Sequence, residues 1–230
     1  MSPTRSERPA RSGRYHHGDL KAALVEVAVD LIAERGVRGF SLAEASRRLG
    51  VTVAAPYRHF TDREELLAAV AVRAFATLAA TAPDAERSAD AERSADAERS
   101  ADAERSADPG ARLAALAAAY VRFAADHTPL FDVLFSAGID KRRFPEVQQA
   151  AAPLAAKFAG CVREICGDDA HAADALAAAV AATAHGHATL LLDGALGGAT
   201  GEQAAQRASQ ATLALIAGRA TLARPADGTG

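Results

Sequence analysis

Tyr57, Arg58 and His59 place a phenol, a permanent cation and an imidazole at three successive positions. Each can donate a hydrogen bond to a phosphate oxygen. Just before them Val53, Ala54 and Ala55 are small. A backbone carrying such residues can approach base edges closely, and small apolar side chains can touch thymine methyls. Arg63 falls in the first turn of what reads as the next helix, where the helix dipole disfavours a cation. A phosphate held at that helix start would relieve the conflict. Together with Thr52 these residues suit contact with a nucleic-acid duplex.

Other chemistry has less support. His185 and His187 are two apart and so point to different sides of a helix. No nucleophile elbow, phosphate loop or metal-ligand triad accompanies them. No catalytic residue, metal ligand or cofactor is therefore assigned. Cys161 and Cys166 lie five apart, about 140° around a helix, which matches neither a redox nor a zinc pattern. A reduced pair in the cytoplasm is expected.

The polar residues need elements to present them. Ser41 and Glu44 have capping-box spacing and start a short helix. Arg47 and Arg48 fill its last turn, and Gly50 supplies the left-handed residue that ends it. Thr52 is expected to cap a second helix. Thr61 and Glu64 repeat the capping box for the one after it. Two helices joined by a tight, glycine-containing turn form a helix-turn-helix, which lays its second helix in the major groove.

Charge distribution agrees. Residues 1–66 hold 11 Lys/Arg against 9 Asp/Glu, and residues 67–230 hold 15 against 20. The first third is basic and the remainder acidic, so polyanion binding belongs to the N-terminal part. The chain is half hydrophobic, rich in alanine and without tryptophan, which favours an all-α fold. No apolar stretch reaches the roughly 18 residues of a membrane span, so no membrane partner is expected. No signal peptide is expected either.

Residues 1–17 read as a disordered basic arm in which Arg11 and Arg14 suit minor-groove or phosphate contact. Residues 18–82 read as the DNA-binding domain, with a first helix over 19–35. Asp-Ala-Glu-Arg-Ser-Ala then occurs four times over 84–107. A six-residue period rotates each copy by about 120° on a helix, so no apolar stripe forms and residues 83–109 read as an exposed linker or helix extension. Residues 110–223 read as a second helical domain, and 224–230 as a tail. Helices are expected over 129–137, 145–165, 168–196 and 202–222.

Leu49-Gly50-Val51-Thr52, then Tyr57-Arg58-His59-Phe60, then Asp62-Arg63-Glu64-Glu65-Leu66-Leu67 resemble the TetR (tetracycline-repressor-like) family of bacterial transcription regulators over about residues 15–75. Tyr15-His16-His17-Gly18-Asp19-Leu20, with Ala184-His185-Gly186-His187-Ala188, are similar to the subfamily named for a Trp-His-Gly signature. The chain departs from these patterns in several places. It lacks the tryptophan, carries Ala43 where many members have a base-reading polar residue, has Pro56 within the recognition helix, and contains the repeat.

The resemblance implies an all-α homodimer, with an N-terminal three-helix helix-turn-helix head and a C-terminal helical domain for ligand binding and dimerisation. DNA contacts fall to Ala43, Thr52, Val53, Ala54, Ala55, Tyr57, Arg58, His59, Arg63, Arg11 and Arg14. Phe123, His127, Phe131, Leu134, Phe144, Phe158 and His187 are candidates for the pocket of a small apolar effector. Leu176, Val180, His185 and Leu213 are candidates for the dimer interface. The leading reading is a ligand-responsive repressor bound as a homodimer to a palindromic site in double-stranded DNA. Two alternatives remain: a helical interaction protein with a non-functional DNA head, and a helical enzyme using His185 and His187.

Overall fold

Helix α1 spans Asp19–Arg35 and buries Leu24, Ala28, Leu31 and Ile32, at the spacing of one helical face. Burying each such large side chain contributes about 1.5–3 kcal/mol. Helix α2, Leu42–Leu49, starts where the Ser41 hydroxyl accepts from the Glu44 N–H at 3.2 Å. It stops at Gly50, whose φ of 68° is the left-handed conformation glycine tolerates. The Gly50 N–H reaches the Arg47 carbonyl at 3.2 Å and the Val51 N–H the Ser46 carbonyl at 3.0 Å, a Schellman termination. The computed structural model describes residues 19–82, 108–140 and 142–222.

The expected recognition helix is shorter than its sequence suggests. Only Pro56–Arg58 are helical, as a 3₁₀ turn, preceded by turn residues. Pro56 has no N–H to return to Thr52. The Ala55 N–H bonds the Thr52 carbonyl instead, at 2.9 Å, which tightens the chain into i→i+3 turns. The next boundary also shifts by one residue. The cap of α3 (Arg63–Thr81) is Asp62, whose carboxylate accepts from the Glu65 N–H at 2.9 Å. Thr61 lies outside the helix and donates to the Glu65 carboxylate from its N–H (2.6 Å) and its hydroxyl (2.7 Å).

Helix α3 connects the two halves of the molecule. It packs on α1 and also on the helices of the C-terminal part. These are α4 (Pro109–Asp126), α5 (Thr128–Ser136), α6 (Pro145–Cys166), α7 (Ala170–Leu192) and α8 (Gly201–Ala217), followed by the short α9 (Arg219–Leu222). Pro109 occupies the first turn of α4, and the Asp108 carboxylate caps the Gly110 and Ala111 N–H groups. The described residues contain no strand. The 168–196 helix ends early, at Leu192, and the last predicted helix is broken at Gly218.

Alanine decides how α8 sits. Ala204, Ala205 and Ala208 are fully buried where α8 lies along α4 and α7. A Cβ on Gly201 would come within 2.8 Å of the Ala125 methyl, so the start of α8 needs glycine for its approach to α4. Small residues of α8 thus serve close helix packing inside one chain. The membrane reading also needs correction. Helix α7 contains an 18-residue window of mean hydropathy 1.4, long and apolar enough to cross a membrane by length and composition. Moderate hydropathy from many alanines accumulates without any strongly apolar run. Only 22% of that window is buried within the chain.

Candidate nucleic-acid interface and a cavity in the body

The tip formed by residues 51–60 is anchored from inside. Pro56 is buried, and Phe60 is 1% exposed with the Lys21 ammonium 5.6 Å from its ring centre. Between these anchors Tyr57 is 54% exposed and Arg58 also faces solvent. Val53 is 53% exposed, and Thr52 and Ala54 are exposed beside it. Ala55 and His59 are half-buried. Ala43 lies half-buried in the first turn of α2. The structure therefore gathers Thr52, Val53, Ala54, Tyr57 and Arg58 on one accessible protrusion. Arg11 and Arg14 lie outside the described residues, as does the repeat.

Arg63 is engaged elsewhere. Its Nε donates to the Phe40 carbonyl at 3.1 Å, a terminal nitrogen donates to the Val37 carbonyl, and its guanidinium lies 4.8 Å from the centre of the Phe40 ring. The unfavourable position of a cation at a helix start is thus offset by two backbone carbonyls of the α1–α2 connection. The expected phosphate is not needed for that purpose.

The C-terminal helices form, with the end of α3, a cavity of about 780 Å³ that is partly open to solvent. Of the predicted pocket residues only Phe158 lines it. Phe123, Phe131 and Phe144 are core residues instead, and Leu134 packs half-buried on the same core. His127 joins α4 to α5, with its ring 5.6 Å from that of Phe123. The His187 Nδ1 lies 2.8 Å from the Thr183 carbonyl one turn earlier, which occupies that nitrogen within α7. Large apolar residues at helical spacing mark a core as readily as a pocket, and spacing alone could not separate the two.

The interface candidates change place as well. Leu176 is fully buried and Val180 is 1% exposed, so both face the interior of the chain, and Val180 lines the cavity. His185 lines the cavity too, with its Nδ1 2.9 Å from the Tyr120 hydroxyl and its ring stacked near Phe131. Of the four only Leu213 is exposed. Tyr120 itself was hidden in the sequence within the apolar stripe Leu113, Leu116, Tyr120, Phe123. Its one polar atom in that stripe was the available signal. Burial raises the Tyr120 phenol above its usual value, so it stays a hydrogen-bond donor.

Two family models match parts of the chain. "Bacterial regulatory proteins, tetR family" matches residues 24–70, and "Tetracyclin repressor-like, C-terminal domain" matches residues 113–222. The chain belongs to the TetR family and is a DNA-binding transcriptional regulator. Among solved structures, a protein of unknown function from Rhodococcus sp. RHA1 is 31% identical over 87% of this chain and 97% of its own, with a TM-score of 0.62. The TetR-family transcriptional regulator PfmR from Thermus thermophilus shares the fold at 19% identity, covering 83% of this chain and 97% of its own, with a TM-score of 0.58. A tetR-family regulatory protein from Rhodococcus RHA1 does so at 19% identity, with coverages of 85% and 96% and a TM-score of 0.52. No curated protein matches the chain. Members of the family act by binding DNA rather than by catalysis, so the enzymatic reading of His185 and His187 is set aside.

Proposed function

We propose that the protein is a ligand-responsive repressor that binds a palindromic operator as a homodimer in the cytoplasm. The observation that carries the reading is the protrusion in which buried Pro56 and Phe60 hold Tyr57 and Arg58 outward, next to exposed Val53 and Ala54. Tyr57, Arg58 and Thr52 hold phosphates, and the small residues meet base edges. Long polar side chains are few at the tip, so groove shape contributes much of the specificity. A single tip reads few bases, and a two-fold dimer would place two of them about one helical turn apart on a palindrome.

Dimerisation is supported by the exposed apolar surface of α7 and α8, including Leu190 and Leu213, 46% and 45% exposed. Effector sensing is supported by the cavity, whose wall includes Phe75 and Leu78 of α3 and Ala82 at its C-terminal cap. The same helix starts at Arg63, three residues after the end of the DNA-reading tip. An effector preferring one placement of α3 would shift the population between DNA-competent and incompetent forms. Footprinting of the purified protein on the DNA upstream of its own gene, with sedimentation in parallel, tests the reading. Protection of two symmetric half-sites by a dimer is expected. Protection of a single unpaired stretch, or a strictly monomeric protein, would overturn it.

A further inference from the structure

Among the described residues, the cavity has a polar feature at one place only. Apart from Tyr120 and His185, every residue lining it is alanine, valine, leucine or phenylalanine. Among the described residues no Lys, Arg, Asp or Glu contributes to the wall. A carboxylate or ammonium taken in from water would meet no opposite charge, and burying an unpaired ion is costly. Ligands with a charged head are disfavoured on that ground alone.

The Tyr120–His185 pair supplies the complementary preference. A phenol and a neutral imidazole carry two polar protons between them. One is used in the 2.9 Å bond that joins them. If the phenol donates to Nδ1, the imidazole keeps an N–H on Nε2. If Nδ1–H donates to the phenol oxygen, the phenol keeps its own proton. In either tautomer one donor remains for another partner. The pair is held in place by aromatic neighbours: the Tyr120 ring lies 5.7 Å from Phe131 and 6.0 Å from Phe135, and the His185 ring 4.8 Å from Phe135. The backbone amides of the enclosing helices are already bonded within those helices and offer little else.

We infer that the cavity takes an uncharged, largely apolar molecule carrying a single hydrogen-bond acceptor, such as an ester, ketone or lactone, which receives its bond from the Tyr120–His185 pair. This rests on the cavity being the effector site and specifies its ligand class. A volume of about 780 Å³ lies within the range of about 300–1,000 Å³ usual for small-molecule sites.

The experiment compares chain-matched probes against the full-length protein by calorimetry: methyl decanoate, decanoate, decylamine and decane, each below its aggregation concentration. Methyl decanoate is expected to bind tightest. Either single substitution leaves the other residue's proton free, so the double variant Tyr120→Phe/His185→Phe is used. It keeps an apolar lining without a donor and should weaken methyl decanoate by roughly two- to tenfold, the worth of one neutral hydrogen bond, while leaving decane unchanged. Ala151→Phe, which fills the cavity, should abolish binding of every probe, with circular dichroism confirming the fold. Preference for decanoate or decylamine would overturn the ligand class and leave the cavity as the sensing site. Equal binding of methyl decanoate and decane would also overturn it. Binding of methyl decanoate with the expected preference, but without release of operator DNA, would uphold the class and remove the sensing role. Binding of no probe would remove both.

Discussion

The Arg143 guanidinium donates from one nitrogen to the Asp62 carboxylate and from the other to that of Glu64. It also lies 4.8 Å from the centre of the Phe144 ring, which is buried in the core. The segment before α6 therefore grips the start of α3, whose cap Asp62 lies two residues beyond the DNA-reading tip. Asp62 is the cap of that helix, so a single cation joins the cap of α3 to the core of the body.

This grip is sensitive to acid. The Arg143 guanidinium, and after it the Glu65 N–H, hold the Asp62 carboxyl below its usual value of 3.8. A depressed carboxylate stabilises the fold above its unfolded value and loses that contribution as pH falls through its folded value. Arg143→Gln should therefore be less stable than the parent at neutral pH. The gap should begin to close as pH drops below about 3.8 and vanish in stronger acid. Both partners are more than a third exposed, so even the neutral-pH gap is small. Urea titrations of both proteins across this range check it, and a gap that stays constant into strong acid would contradict the assignment.

Arg58 and Arg63 should separate cleanly. Arg58→Ala is expected to leave stability unchanged, weaken binding to all DNA sequences, and reduce the slope of log affinity against log salt by about one. Arg63→Ala removes a charged donor from two backbone carbonyls and should lower stability by about 1.5–3 kcal/mol. Thermal melts beside salt-dependent binding isotherms decide between them. The reverse pattern, with Arg63 governing the salt slope, would return that residue to the phosphate.

Gly50 holds a left-handed conformation with open space around its Cβ position. The cost of replacing it is therefore backbone strain rather than collision. Gly50→Ala should destabilise the protein by about 1–2 kcal/mol. Weaker DNA binding should follow, because the turn it forms aims the tip. Chemical denaturation with a parallel gel shift measures both effects, and an unaltered midpoint would show that the turn tolerates a side chain.

Charged replacement of the exposed leucines tests the proposed pairing. Leu190 and Leu213 are each nearly half exposed and neither belongs to the buried core, so Leu190→Asp with Leu213→Asp should leave the folded monomer intact. The dimer dissociation constant should rise about tenfold or more, as expected for apolar residues at an interface. Analytical ultracentrifugation reads the outcome, and an unperturbed dimer would place the interface elsewhere on the molecule.

Local chemistry was legible in the sequence. Ser41 with Glu44, Gly50, and the apolar spacing of Leu24, Leu31 and Ile32 dictate α1, α2 and the turn between α2 and the tip, because caps, left-handed glycines and helical periodicity act over a few residues. The outward chemistry of Tyr57 and Arg58 was readable for the same reason. Which side chains meet across helices was not. Arg63 reads as a misplaced cation until the carbonyls of Val37 and Phe40 are beside it. Leu176 and Val180 read as surface for a partner, and His185 as their neighbour, until packing of α4, α6 and α7 turns them inward. Alanine-rich helices have nearly uniform sides, so periodicity cannot say which side is covered. Only the close approach of neighbouring helices made one face core, one face cavity, and left the remainder open.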